Sequence, residues 1–436
     1  MTPRTKRRGS DTGCAGFVVG AIVNLVFAAA GPLRSAEPPE RGFSPDHPAA
    51  ARNTAGTPVR IALAPPQDPR FAHLSWNKAL RTARGTLVLA SIAGAFHGDH
   101  GGGCPAVSRL TDGGRTFSPP NVLRRFGPGQ DYTASGNLAL GVASDGALVL
   151  LAMAYTANEA NNLFGWRSED EGANWRSVDT TNFGPNKTSS VFGNILPVPG
   201  RGLLVCGHYR PGAKPYTSGI WMAVSADNGR SWGPPRRISE APAVEPLVIQ
   251  LGSRLLGFFR GGGELRGPQF VAISDGLGET WKTERSVLGP EAPDSARLTA
   301  PFAVENPRHP GEILVLTTER AVPGNTPGRI WLWRGDAQRL DWRRERALLE
   351  FPHIPDDPTP TSAILGLFRL KTTVGGCSTI TAAAGALSAV GYGSKSLPVS
   401  VHGVRRATAE KNRIAEDVGC RQEPDGSNEG GGVPQR

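Results

Sequence analysis

The sequence predicts an all-β fold of the propeller type, on three observations. A short frame recurs along the chain: a small hydroxyl residue, a spacer, Asp, a spacer, Gly, two spacers and an aromatic. It reads VSADNGRSW at Val224–Trp232, RSEDEGANW at Arg167–Trp175 and, with Leu110 in the hydroxyl place, RLTDGGRTF at Arg109–Phe117. A fourth copy, ISDGLGETW at Ile273–Trp281, keeps Ser274, Gly278 and Trp281 but has Gly276 in the Asp place. The aromatic ends Phe117, Trp175, Trp232, Trp281 and a degenerate fifth, Trp342, lie 58, 57, 49 and 61 residues apart, a period that suits about four short strands per repeat. Finally, TLVLASIAG, ALVLLAMAY, GLLVCGHY, RLLGFFRG and EILVLTTER are short apolar runs bounded by Gly, Asp or Pro, and no long segment holds a helical period.

Each part of the frame has a physical reason. The Asp carboxylate accepts hydrogen bonds from backbone N–H groups in a tight turn, the Gly takes positive φ, and the aromatic enters a core. Asp112, Asp170 and Asp227, with Ser274 in the fourth copy, are therefore expected as structural turn residues, and Trp175, Trp232 and Trp281 as anchors.

In chain order, residues 1–36 carry Arg4, Lys6, Arg7 and Arg8, an apolar run from Ala15 to Ala30, then small residues. This is the layout of an export signal, with cleavage expected after Ala30, and the run is short for a membrane span. The mature chain is thus expected to be exported, periplasmic or extracellular, without a stable membrane span. Residues 37–70 are rich in Pro and Ala and read as a linker or edge arm, with one edge strand at Val59–Ala64. Residues 71–360 are the repeat region, long enough to bury one continuous core.

Composition narrows the partners. Of the formal net charge of +10, residues 1–36 and 361–436 carry +4 and +3, which leaves only +3 on the repeat region. That excludes a nucleic-acid footprint and leaves room for a modestly positive site for an acidic sugar. Of five cysteines only Cys104 and Cys206 lie in the repeat region, so no disulfide framework is expected.

The recurring turns resemble the Asp-box (BNR) repeats of the sialidase superfamily, and the resemblance covers roughly Phe71 to Pro360. It implies a six-bladed β-propeller with the sugar in a central pit, the last blade being incomplete here. It also implies an exo-sialidase-like glycoside hydrolase with a glycan substrate, no cofactor, no metal and a monomeric state. That family holds a substrate carboxylate with arginines, donates a proton from an Asp and attacks with a Tyr assisted by a Glu. Carried onto this chain, the resemblance gives Asp99 as acid and Glu245 as partner of the Tyr. It gives Arg260, fifteen residues after Glu245, and Arg329 in GRIWLW as anion holders, with Arg320 as competitor for the last place. His97 and His100 flank Asp99 in the glycine-rich FHGDHGGGCP and are expected at the substrate; two His and an Asp are ligand types but too few for a metal site. Asn137 and His208 read as satisfied turn residues that border the pit. Two departures stand out: Trp76 occupies the first arginine's place, and the repeat region shows no evident Tyr nucleophile. A non-catalytic glycan- or protein-binding propeller is therefore the alternative.

From Thr361 the aromatic anchors stop, and residues 361–436 read as a low-complexity, disordered or frame-shifted tail. Sliding the reading frame back one base through the codons of Ser362–Ala382 permits Trp at the positions of Gly366, Gly375 and Gly376. It also permits Tyr-Tyr-His at Thr379, Ile380 and Thr381. That is an aromatic strand of the kind a closing blade needs.

Overall fold

The computed structural model describes residues 52–53, 60–63, 69–71, 73–95, 101–110, 117–156, 159–262, 269–286, 288, 301–306, 309–320, 328–351, 364–374, 377–388 and 399–403. All of them belong to the first of two units, Met1–Gly403. Their regular structure is strands with two short 3-10 turns, Pro69–Phe71 and Thr181–Phe183.

The strands form antiparallel meanders that follow the repeat. The first is His73–Arg81, Leu87–Gly94, Cys104–Leu110 and Asn121–Val122. The second is Ala134–Val142, Leu148–Thr156, Ala160–Ser168 and Arg176–Ser177, and the third is Ser190–Val198, Gly202–Tyr209, Gly219–Ser225 and Arg236–Ser239. Their leading strands pair in parallel, Gly193–Ile195 against Ala139–Gly141, so the two meanders make one eight-stranded sheet. The approach needs glycine: a Cβ on Gly141 would lie 2.1 Å from the Ile195 carbonyl oxygen. The fourth meander is Ala243–Leu251, Arg254–Gly261, Gln269–Ser274 and Lys282–Ser286. The fifth is Phe302–Glu305, Glu312–Glu319, Gly328–Asp336 and Trp342–Phe351, extended by Arg52–Asn53.

A last sheet joins Ile364–Val374, Cys377–Ser388 and Val399–Gly403 to the early strand Arg60–Leu63, which lies at its edge. The sequence pattern ends at Pro360, whereas strands continue to Gly403. The stretch lacks the aromatic anchors from which the pattern was read, yet it keeps β-branched Thr372, Thr373, Val374, Thr379, Ile380 and Thr381, which favour extended backbone.

Four hydrophobic cores lie between consecutive meanders. Leu74 and Leu89 of the first pack with Leu138 and Leu150 of the second, and Val149 and Leu151 with Val205 and Trp221 of the third. Leu204 and Met222 of the third meet Leu255 and Phe259 of the fourth, and Leu256 and Phe258 of the fourth meet Val315 and Trp333 of the fifth. The box aromatics seal these cores: Trp232 is 3 % exposed, and Trp175, Trp281 and Trp342 pack against the cores beside them.

The box turns form as their chemistry dictates. In the third meander Ser225 donates to Asp227 Oδ1 (2.7 Å), the Gly229 N–H donates to Ser225 Oγ (2.8 Å), and the Ser231 N–H donates to Asp227 Oδ1 (2.9 Å). The second meander repeats this with Ser168, Asp170, Gly172 and Asn174. Slight burial works against the Asp170 charge, but hydrogen bonds from Asn174 and Ser168 outweigh it and hold the carboxyl at about 2. The fourth copy keeps only the Ser274 half, accepting from the Gly278 N–H at 2.8 Å. Asp112 lies outside the described residues.

Candidate active site

The described box turns link third to fourth strands. In an antiparallel meander this puts them at the edge opposite to where second strands end. The chemistry gathers at that other edge.

Leading strands of the first four meanders each carry a β-bulge near their start, at Ser75/Lys78, Gly136/Leu138, Phe192/Ile195 and Val244/Leu247. A bulge re-aims the side chains beside it. Two of these bulges place a non-glycine residue in the left-handed region, Trp76 at φ 49° and Glu245 at φ 55°. Such a conformation costs about 1–2 kcal/mol for an ordinary residue and is typical of functional sites.

Glu245 sits at the centre of a charged cluster. Its Oε2 accepts from Arg260 Nη1 at 2.6 Å, the two side chains being 16 % and 14 % exposed. Its backbone N–H donates to His208 Nδ1 at 3.2 Å. Burial pushes the Glu245 carboxyl up, but Arg260, and then Arg320 and His208, outweigh it and hold the pKa at about 2. The carboxylate is therefore ionised throughout the neutral range.

Second strands supply the cations. Arg210 follows Gly202–Tyr209, Arg260 lies next to the end of Arg254–Gly261, and Arg320 follows Glu312–Glu319. Three successive meanders thus deliver an arginine near the end of the second strand, while Tyr155, near the end of Leu148–Thr156, is buried in the core between the second and third meanders. Arg210 donates through Nη2 to Met153 Sδ (3.3 Å), while its Nε is buried with no hydrogen-bond partner among the described residues. Burial pulls the Arg210 pKa down, and Tyr155 and Glu245 oppose that. His208 is held neutral: burial and then Arg210 lower it to about 3 against the pull of Glu245. Because its Nδ1 accepts a hydrogen bond, its proton lies on Nε2.

Lys78 joins from the first meander. Its Nζ donates to the Trp76 carbonyl at 3.3 Å and lies 4.1 Å from the centroid of the Phe192 ring. Lys78 is half-buried. Burial lowers its pKa to about 7, with Glu245 opposing.

Of the residues singled out in the sequence, Glu245 and Arg260 meet as an ion pair. Arg329 lies across from Glu319 at the same edge but pairs through Nε with Glu350 on the adjacent strand at 3.0 Å, whereas Arg320 acts on Glu245. Asp99, His97 and His100 lie outside the described residues. Asn137 is buried in a leading strand and donates to Ser190 Oγ at 2.9 Å, and His208 is a strand residue, not a turn residue. Lys78, Arg210 and Tyr155 are additions from the structure. Arg210 had a signal in the sequence, since GLLVCGHYR and RLLGFFR are both apolar strands that end in Arg. Among the described residues no group of three or more His, Cys, Asp or Glu side chains gathers as a metal site. Likewise, no described helix is long and apolar enough to cross a membrane.

A cleft of about 490 Å³ lies apart from this cluster, lined by Arg237, Glu240, Phe270, Trp281 and Thr283 among others. Its strongest donor is already engaged, as Arg237 donates to the Ser218 carbonyl (2.6 Å), Glu240 (2.7 Å) and Thr217 Oγ1 (2.9 Å). The charged edge, with an Arg210 Nε unpartnered among the described residues, is the better candidate site.

No family model and no curated protein matches the chain. Solved structures do match in fold. Hadza microbial sialidase Hz136 is 17 % identical at TM-score 0.52, over 80 % of this chain and 71 % of that one. The K499G mutant of NanB sialidase from Streptococcus pneumoniae is 12 % identical at TM-score 0.53, over 79 % of this chain and 70 % of its own. An α-L-arabinanase from Penicillium chrysogenum, complexed with arabinobiose, is 16 % identical at TM-score 0.51, over 82 % and 98 %. The chain therefore has the sialidase-like β-propeller fold, shared by glycoside hydrolases of differing specificity.

Proposed function

We propose that this chain is an exported, six-bladed sialidase-like glycoside hydrolase that acts on a terminal sugar bearing an anionic group. The observation that carries the reading is the Glu245–Arg260 pair with Arg210 and Arg320 around it. Six blades are supported by the strand Ile364–Val374, which runs beside both His73–Arg81 and Phe302–Glu305. Arg60–Leu63 then serves as an edge strand of the closing blade.

The arginines have planar donor forks suited to a carboxylate. Arg260 is held by Glu245 through Nη1, which leaves its remaining donors for the ligand. A carboxylate with a pKa of about 2 is a poor proton donor near neutrality, so Glu245 positions Arg260 and offsets positive charge as the glycosidic bond breaks. The leaving oxygen then takes its proton from another acid, for which Asp99 is the proposed source. Residues 1–36 act as the export signal in this reading.

A non-catalytic glycan-binding propeller is the second reading. It is favoured by the absence, among the described residues of the site, of a carboxyl group poised to donate a proton. Hydrolysis of 4-methylumbelliferyl glycosides of N-acetylneuraminic acid, glucuronic acid and L-arabinofuranose separates the two. The proposal expects turnover of an acidic glycoside, lost in Glu245→Gln and Asp99→Asn. Binding on a glycan array with no turnover of any of the three would select the second reading.

A further inference from the structure

Lys78 has an unusual place. An ammonium partly removed from water favours a counter-ion or a set of acceptors, yet among the described residues half-buried Lys78 makes a single hydrogen bond, to the Trp76 carbonyl at 3.3 Å, and its Nζ lies 4.1 Å from the centroid of the Phe192 ring. The strained bulge at Trp76 is what brings it to the charged edge. Of the charged and titratable groups at this edge, Glu245 of the fourth meander acts on Lys78, while Arg260, Arg320, His208 and Arg210 act on Glu245 or on one another. None of these supplies Lys78 with an ion pair of its own. Its other two donors have no partner among the described residues and are available to a ligand.

We propose that Lys78 is the specificity-determining cation of the site, holding an anionic group of the ligand through an ammonium that the bound anion keeps protonated. This rests on the site assignment made above and adds a property that the arginines cannot give. Arginine stays charged at any working pH. Glu245 at about 2 and His208 at about 3 do not change state near neutrality. Lys78, at about 7, does. An anion that meets the ammonium therefore binds with uptake of a proton, and its affinity falls as pH rises through that value. A neutral sugar gains nothing from the proton.

The test is calorimetric binding of free N-acetylneuraminate, D-glucuronate and neutral arabinobiose to the full chain, from about pH 6 to about pH 8.5. The proposal expects affinity for an anionic probe to drop by roughly thirtyfold across that range, with proton uptake that depends on the ionisation heat of the buffer. Arabinobiose binding stays flat. Lys78→Arg should bind the anion with no pH dependence, and Lys78→Met should bind it weakly at every pH. A flat wild-type profile, or a Lys78→Met profile equal to wild type, overturns the role of Lys78 while leaving the site in place. If no probe binds at any pH, the site assignment fails and the role of Lys78 fails with it. Turnover is not needed for any of these readouts, so a lack of hydrolysis bears only on the enzymatic reading.

Discussion

Replacing Glu245 by Gln keeps the shape of the side chain and removes its charge, leaving Arg260 with 14 % exposure and no carboxylate. Holding the carboxyl at about 2 rather than 4.5 corresponds to roughly 3 kcal/mol of stability at neutral pH. Stranding the buried arginine is of the same order, about 3–5 kcal/mol. The sign follows from a depressed acid pKa: the contribution is complete above the unfolded value and is lost as pH falls through the folded one. Wild type should therefore exceed Glu245→Gln by roughly 3 kcal/mol at pH 7 and at pH 5.5, and by less than half of that near pH 3. Asp170 and Asp227 also have depressed values, but both proteins keep them, so their contributions cancel in the difference. Urea unfolding followed by tryptophan fluorescence at each pH measures it. A gap below about 1 kcal/mol at pH 7, or one that stays constant down to pH 3, would refute the buried-pair reasoning.

Lys78→Met should act in the other direction. Its folded value of about 7 lies below the ordinary 10.5, so the wild type gains stability as pH rises from 7 towards 10.5. After allowance for partial solvent contact, the variant should be more stable by roughly 2 kcal/mol at pH 6, and urea titrations should show the gap closing at high pH. Asp227→Ala removes an acceptor for Ser225 and Ser231; the melting temperature should fall by the equivalent of roughly 1–3 kcal/mol while sugar affinity is unchanged. Restoring the alternative frame through the codons of Ser362–Ala382 should raise the melting temperature by supplying aromatic anchors to the last sheet. Equal melting temperatures for the two versions would count against a shifted frame.

The fold was legible because the Asp-box turn is local. Ser225, Asp227, Gly229 and Ser231 satisfy one another within seven residues, so their spacing alone reports the turn, and Trp232 reports the core beyond it. Glu245 and Arg260 were legible for a related reason, as they lie on adjacent strands of one meander and their separation of fifteen residues records a hairpin. Lys78 was hidden because its placement depends on a bulge, and a register shift leaves no mark in the alternation of apolar residues. Trp76 drew attention as the residue in an expected arginine's place, while Lys78, the proposed cation, stands two positions further on. Arg329 and Arg320 flank the same hairpin, and only the pairing of Arg329 with Glu350 separates their roles. Tyr155 ends an apolar run and reads as core from sequence; what gives it a place at the site is its effect on Arg210, three-dimensional information.

The most direct test is a crystal structure of the full chain with N-acetylneuraminate or D-glucuronate bound. The account predicts the sugar at the edge where second strands end, its carboxylate within hydrogen-bond distance of Arg260 and Lys78 and close to Arg320. A sugar bound instead in the cleft of Arg237, Phe270 and Trp281, with the Glu245 edge empty, would contradict it.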